Sequence, residues 1–153
     1  RVENLELDLE FQHLDAPKDF IIPVRNSMKS IFIHEVENTA FVNLKMIKYM
    51  VENNPDLCKF NLYFSSLETY RMVVETIVQE ELSRSNKDCL HKHISLGLGI
   101  SRDDDPSELL NYLNSGEFPY NFTHGEYDLY EGTLECPACG GVDSIEILGK
   151  RFV

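Results

Sequence analysis

Residues 59–84 read KFNLYFSSLETYRMVVETIVQEELSR, and the fold class turns on how this stretch divides. Lys59 to Phe64 reads as a strand, rich in aromatic and apolar residues. Ser65-Ser66-Leu67-Glu68 then opens the clearest helix in the chain. Ser65 and Glu68 have the spacing of a capping box. Leu67, Tyr70, Val73, Val74, Ile77, Val78 and Leu82 form one apolar stripe at helical spacing. Glu75, Gln79, Glu80 and Arg84 are left to face water. Past a polar loop from Ser85 to Asp88, His93-Ile94-Ser95-Leu96-Gly97-Leu98-Gly99-Ile100 reads as a buried strand. Its glycines mark a bulge or a close backbone approach. Strand, helix, strand in that order is the unit of a sheet with helices packed on it.

Upstream, Leu5, Leu7, Leu9 and Phe11 alternate with Glu6, Asp8 and Glu10, the period of a strand with one buried face. Pro17 and Asp19 mark a turn. Phe20 to Ile22, before Pro23, suits an edge strand or an extended segment. Ser30 to Val36 is a further strand. Ala40 to Asn53 predicts a helix capped by Asn38 or Thr39, with Phe41, Leu44, Ile47, Met50 and Val51 on one face, ended by Pro55.

Downstream, Asp105 and Pro106 open a short helix whose apolar face is Leu109, Leu110 and Leu113, stopped by Gly116. Residues 117–128 read as an aromatic loop folded over the core. Leu129 to Glu135 leads into a Cys-Pro-Ala-Cys turn. Residues 143–148 and 150–153 suggest a closing hairpin around Gly149. The expectation is α/β or α+β: one domain over 1–153, a single mixed sheet, about three helices, and a C-terminal zinc-knuckle hairpin over 128–153.

The chain of 153 residues is long enough to bury a sizeable core without cross-links. Its charge is unusual: 26 acidic residues against 14 basic give a formal net of −12. Nucleic-acid binding depends on Lys and Arg neutralising phosphates, so that field argues against direct nucleic-acid contact. Anionic membranes are disfavoured for the same reason. A basic protein partner would be drawn in. No apolar run approaches the roughly 20 residues of a membrane helix. No charged-then-apolar leader opens the chain, so no signal peptide is expected. The missing initiating Met suggests trimming from a longer protein. Four unevenly spaced cysteines do not resemble a secreted disulfide scaffold, which points to a reducing, cytoplasmic setting.

The strongest chemical signal is Cys136-Pro137-Ala138-Cys139-Gly140-Gly141. Two thiolates two residues apart can both reach one Zn²⁺. Gly140 and Gly141 let backbone N–H groups approach the sulfurs with no Cβ in the way. A full zinc ribbon has two such turns and this chain has one. The remaining ligands are therefore sought in Cys89-Leu90-His91-Lys92-His93. On a strand Cys89, His91 and His93 share a face. Cys136, Cys139 and two of those three would make a closed, tetrahedral, structural site. Other sources are His124, Cys58, a second chain or residues beyond this sequence. The segment from Glu131 to Gly140 resembles the C-terminal zinc segment of the small activator subunit that partners tRNA and release-factor methyltransferases. That family's N-terminal cysteine pair and proline-bearing apolar tail have no counterpart here, so the resemblance is to a local turn.

Competing chemistries fit less well. A redox pair normally sits at a helix N-terminus, whereas a hairpin follows here. The zinc-deaminase signature fails, because His34 and Glu35 are adjacent and Pro follows Cys. His93-Ile94-Ser95-Leu96 matches one half of a two-histidine phosphoesterase, and Gln12-His13-Leu14-Asp15 lacks the hydroxyl of the other. Asp103 to Asp105 has no calcium-loop spacing and reads as a helix cap. No catalytic set is assigned. The expected role is a non-catalytic, acidic binding protein of inhibitor, immunity or adaptor type, holding a structural zinc. The alternatives are a small metal-dependent hydrolase or nucleotide-acting enzyme using His91 or His93 beside the metal, and a domain of a larger complex.

Overall fold

The computed structural model describes residues 2–9, 20–35, 42–64, 66–84, 89, 91–101, 105, 107–124 and 129–152. The described elements form one mixed sheet with three helices, an α+β arrangement. In chain order they are β1 (Asn4–Leu9), β2 (Ser30–Glu35), α1 (Leu44–Asn53), β3 (Lys59–Tyr63), α2 (Leu67–Arg84), β4 (His93–Ser101), α3 (Ser107–Leu113), β5 (Asn121–His124), β6 (Leu129–Glu135) and β7 (Val142–Phe152). The sheet order is β1-β2-β3-β4-β7-β6-β5. The five strands from β1 to β7 in that order run parallel. β6 and β5 then pair antiparallel.

The strand order explains where the core lies. The parallel strands succeed one another in one direction across the sheet. Crossovers between parallel strands are right-handed in nearly all proteins. Successive right-handed crossovers moving the same way deliver every helix to the same face. Ile31, Ile33, Phe60, Leu62, Ile94, Leu96, Leu98, Ile145 and Ile147 point to that face and are buried. They join Met46, Ile47, Met50 and Val51 of α1 and Tyr70, Val73, Val74, Ile77 and Val78 of α2 in one apolar cluster. The stripe expected on α2 is the stripe that packs. Its two ends, Leu67 and Leu82, are partly buried.

Three polar devices set the geometry. Tyr70 is buried, and its hydroxyl accepts from Phe64 N at 2.7 Å and contacts the Gly99 carbonyl, tying α2 to the ends of β3 and β4. Asn43 caps α1, its side chain accepting from Met46 N at 2.9 Å. That cap starts the helix at Leu44, later than the expected Ala40; Asn38, Thr39 and Phe41 lie outside the described residues. Asn54 is fully buried past the C-terminus of α1. Its carboxamide oxygen accepts from Met28 N at 3.2 Å, and its nitrogen donates to Val24 and Met50 carbonyls, each at 2.9 Å. It fastens the segment before β2 to the end of the helix.

Other expectations change. Phe20 to Ile22 belongs to no strand of the sheet. The aromatic stretch after α3 contains a short strand, β5, and buries Phe118 and Tyr120 against Tyr112 and Phe122. The expected closing hairpin around Gly149 is absent: β7 is one continuous strand through that glycine. It is hydrogen-bonded on both edges, parallel to β4 and antiparallel to β6. Ladders on both sides outweigh one glycine's preference for a turn. The hairpin forms instead between β6 and β7, around the Cys-Pro-Ala-Cys turn. Asp105 caps α3, accepting from Ser107 N at 3.1 Å; Asp103, Asp104 and Pro106 lie outside the described residues. No helix among the described residues is long and apolar enough to cross a membrane.

Replacing Asn54 with Ala strands buried backbone groups on both sides of the joint. The expected loss is about 3 kcal/mol of stability, roughly 10 °C in Tm. Thermal unfolding followed by circular dichroism checks it, and a loss no larger than that of an exposed control such as Asn114→Ala contradicts it.

Candidate metal centre

The register of the sheet assembles the site. β7 lies between β4 and β6, with Ser144 opposite His93 on one side and Val142 opposite Glu135 on the other. The turn from Cys136 to Gly141, at one end of the β6–β7 hairpin, is thereby set beside the chain entering β4. The turn is closed by Cys136 N donating to Gly141 O at 2.7 Å and Gly140 N donating to Cys136 O at 2.9 Å. Gly140 takes a φ of 75°, which glycine adopts without strain.

Four side chains converge there. One ligand atom each from Cys89, His91, Cys136 and Cys139 lies within 4.8 Å of every other, close enough to hold a metal ion. His91 Nε2 is 3.0 Å from Cys139 Sγ. Cys136 is buried, while Cys89 and Cys139 are exposed. Gly141 N donates to Cys139 Sγ at 3.4 Å. A Cβ on Gly141 would sit 2.4 Å from His91 Nε2, so only glycine leaves the imidazole its place.

The upstream ligands are not presented by a strand. β4 begins at His93, so Cys89 and His91 precede it. Cys89 has a φ of 51°, a left-handed turn that carries its sulfur to the cluster. His93 stands apart from the four, its Nδ1 2.7 Å from Ser144 Oγ. Cys58 is also elsewhere, with Sγ 3.9 Å from the Lys29 carbonyl. His124 stacks on Tyr130 at 4.5 Å.

Composition and spacing did not point to Asp143, which is buried beside the cluster. Its Oδ1 accepts from Lys92 N at 3.0 Å. The same oxygen lies 3.4 Å from His91 Nδ1, a buried atom with no hydrogen bond of its own. A metal on Nε2 requires the proton on Nδ1, and Asp143 is the acceptor at hand. This is the arrangement by which a carboxylate orients a ligating histidine. Lys92, between the upstream ligands and β4, is anchored in turn. Its Nζ lies 2.9 Å from Glu81 Oε1, a buried carboxylate of α2, and donates to the Pro55 carbonyl at 2.9 Å. The only signal for Asp143 in the sequence was its place in β7, two residues past the glycine pair.

No family model, no curated protein and no solved structure matches the chain.

The thiols are not equivalent. The Cys136 thiol is held below its ordinary value, because the backbone N–H groups of Cys139 and Ala138 donate to its sulfur. The Cys89 thiol is pushed up to about 11, first by donating to Cys139, then by desolvation and by Cys136. Without metal, then, one thiol is predisposed to ionise and another keeps its proton. Thiol ligands must deprotonate to bind, so a metal taken up here near neutral pH would displace the Cys89 proton.

Apparent metal affinity should rise with pH, about tenfold per unit for each thiol proton displaced. Calorimetric titrations in buffers of differing ionisation enthalpy measure the release, and an affinity flat across the neutral range contradicts it. Asp143→Ala and Gly141→Ala should each weaken metal retention against a chromophoric chelator, by about 10–100-fold for Asp143. Retention equal to the parent protein in both variants would remove Asp143 and Gly141 from the site.

Proposed function

We propose that this chain is a non-catalytic, acidic binding protein whose C-terminal hairpin is stiffened by one structural zinc, and that it docks a basic protein partner. The observation that carries the structural reading is the convergence of four protein ligands. Three thiolates and an imidazole are a donor set suited to Zn²⁺, and four protein ligands are what structural zinc sites use. A tetrahedron with bonds of about 2.3 Å has edges of about 3.8 Å, so the cluster need contract little to accept the ion. An enzyme using the metal would need a position open to water, and four ligands leave a tetrahedral ion none. The docking half of the proposal is supported by the net charge of −12. That field steers cationic partners and repels phosphates and anionic lipids.

Metal analysis of the protein purified without chelator is expected to give one zinc per chain, with the metal and much of the thermal stability lost together in Cys136→Ser. Cobalt substitution separates a closed site from an open one. A closed Cys3His site gives intense visible bands that do not change on adding cyanide or azide. Bands that shift with those anions would reveal an exchangeable position and favour the metal-dependent enzyme. Absence of metal after reducing purification would overturn the zinc assignment.

A further inference from the structure

The arrangement that sends every crossover helix to one side leaves the other face of the parallel strands without a helix among the described residues. Parallel sheets are ordinarily covered on both faces. On this side Phe32, Tyr63 and Leu148 are only half-buried. Phe32 and Tyr63 have ring centroids 5.4 Å apart. Gly97 has no side chain between them and Leu148, so the face carries a hollow of about 390 Å³ whose lining also includes Glu146 and Lys59. A Cβ on Gly97 would meet Asn61 Oδ1 at 2.7 Å. A side chain there would have to displace the Asn61 carboxamide, which also lines the hollow.

The register shows which charges surround it. Glu6 and Asp8 lie level with Phe32 and His34 on β1. Glu146 and Glu131 are opposite one another on β7 and β6, and Glu135 follows on the same side of β6. Among the described side chains of these strands this face carries five carboxylates and one lysine, Lys59. Asp8 is 3.3 Å from His34 Nδ1. Two such faces would repel one another, which argues against a second copy of the chain. Phosphates and anionic headgroups are repelled as well.

We propose that this open face is the docking surface for a basic protein partner, which seats an arginine in the hollow between Phe32, Tyr63 and Leu148. The inference rests on the binding reading above and gives that reading a place on the molecule. An arginine fits the lining better than a lysine. Its stem can lie along Phe32 and Leu148, its planar guanidinium can stack on the Tyr63 ring, and its fork can meet Glu146 with two hydrogen bonds. The outlying carboxylates would steer the approach.

The probe is a short arginine–glycine repeat peptide, with a lysine–glycine peptide of equal charge beside it, titrated by fluorescence anisotropy at low and high salt. The zinc content and melting temperature of every variant are measured alongside. The expected result is tighter binding of the arginine peptide, weakened by salt. Glu146→Lys should cost about tenfold or more and Tyr63→Ala a comparable loss, while Glu52→Lys on α1, which changes the net charge equally, should cost little. Equal losses in Glu146→Lys and Glu52→Lys would reduce the binding to general charge and overturn the docking surface while leaving the binding reading intact. Equal binding of the two peptides would overturn the arginine seat. A dimer in light scattering that Glu146→Lys disperses would assign the face to a second copy and overturn the proposal. No binding of either peptide would overturn both this inference and the basic-partner reading, leaving the zinc assignment to stand on metal content.

Discussion

The last strand in the chain is the one on which the rest depends. β7 pairs along its length with β4 on one edge and with β6 on the other. It joins a parallel sheet built from local crossovers to an antiparallel hairpin built from a tight turn. The side chains that converge at the candidate metal centre are brought together through this double pairing. The His93–Ser144 register sets the approach to β4 beside the hairpin, and Asp143, one residue earlier on β7, accepts from Lys92 and faces His91. A slip of one residue would turn Asp143 to the other face of the sheet. The network would then lose its acceptor.

The same pairing connects the centre to the core. Lys92 extends from the upstream ligands to the buried Glu81 of α2. A buried ion pair is not a dependable source of stability, and this one has another consequence. It fixes the backbone between His91 and β4 relative to the main helix, so the ligand loop is held by the sheet on one side and by α2 on the other. The candidate metal centre and the end of α2 are in this way joined through one side chain.

Much of the fold could be read from the chain. The alternation of Leu5 and Leu7 with acids, the apolar stripe of α2, and the strand at residues 93–100 all express periods set by backbone geometry, so local sequence suffices to read them. Where expectation and structure diverge, a distant partner intervenes. Gly149 lies inside a strand because β4 and β6 both hydrogen-bond that strand. Gly97 and Gly99 are not a bulge; Asn61 and Tyr63 from the neighbouring strand occupy the space their side chains would fill. α1 starts at Leu44 because the Asn43 side chain, anchored also to the Phe20 carbonyl, captures the free N–H of Met46.

The site divides along the same line. The sequence by itself determined that a Cys-x-x-Cys turn with two glycines could hold two ligand positions, because that spacing is a property of one short loop. It also determined the acidity, which is a sum over residues. It narrowed the other ligands to a Cys-x-His-x-His segment without choosing among them. Only the tertiary structure decided that Cys89 and His91 meet the turn, through a left-handed residue that alternation cannot anticipate, and that His93 turns to Ser144 instead. Only the sheet register showed Asp143 behind His91, and only the strand order left one face of the parallel strands without a helix. Pairing between residues some fifty positions apart is settled by which arrangement buries the most apolar surface and satisfies the most backbone groups together, and no local period carries that information.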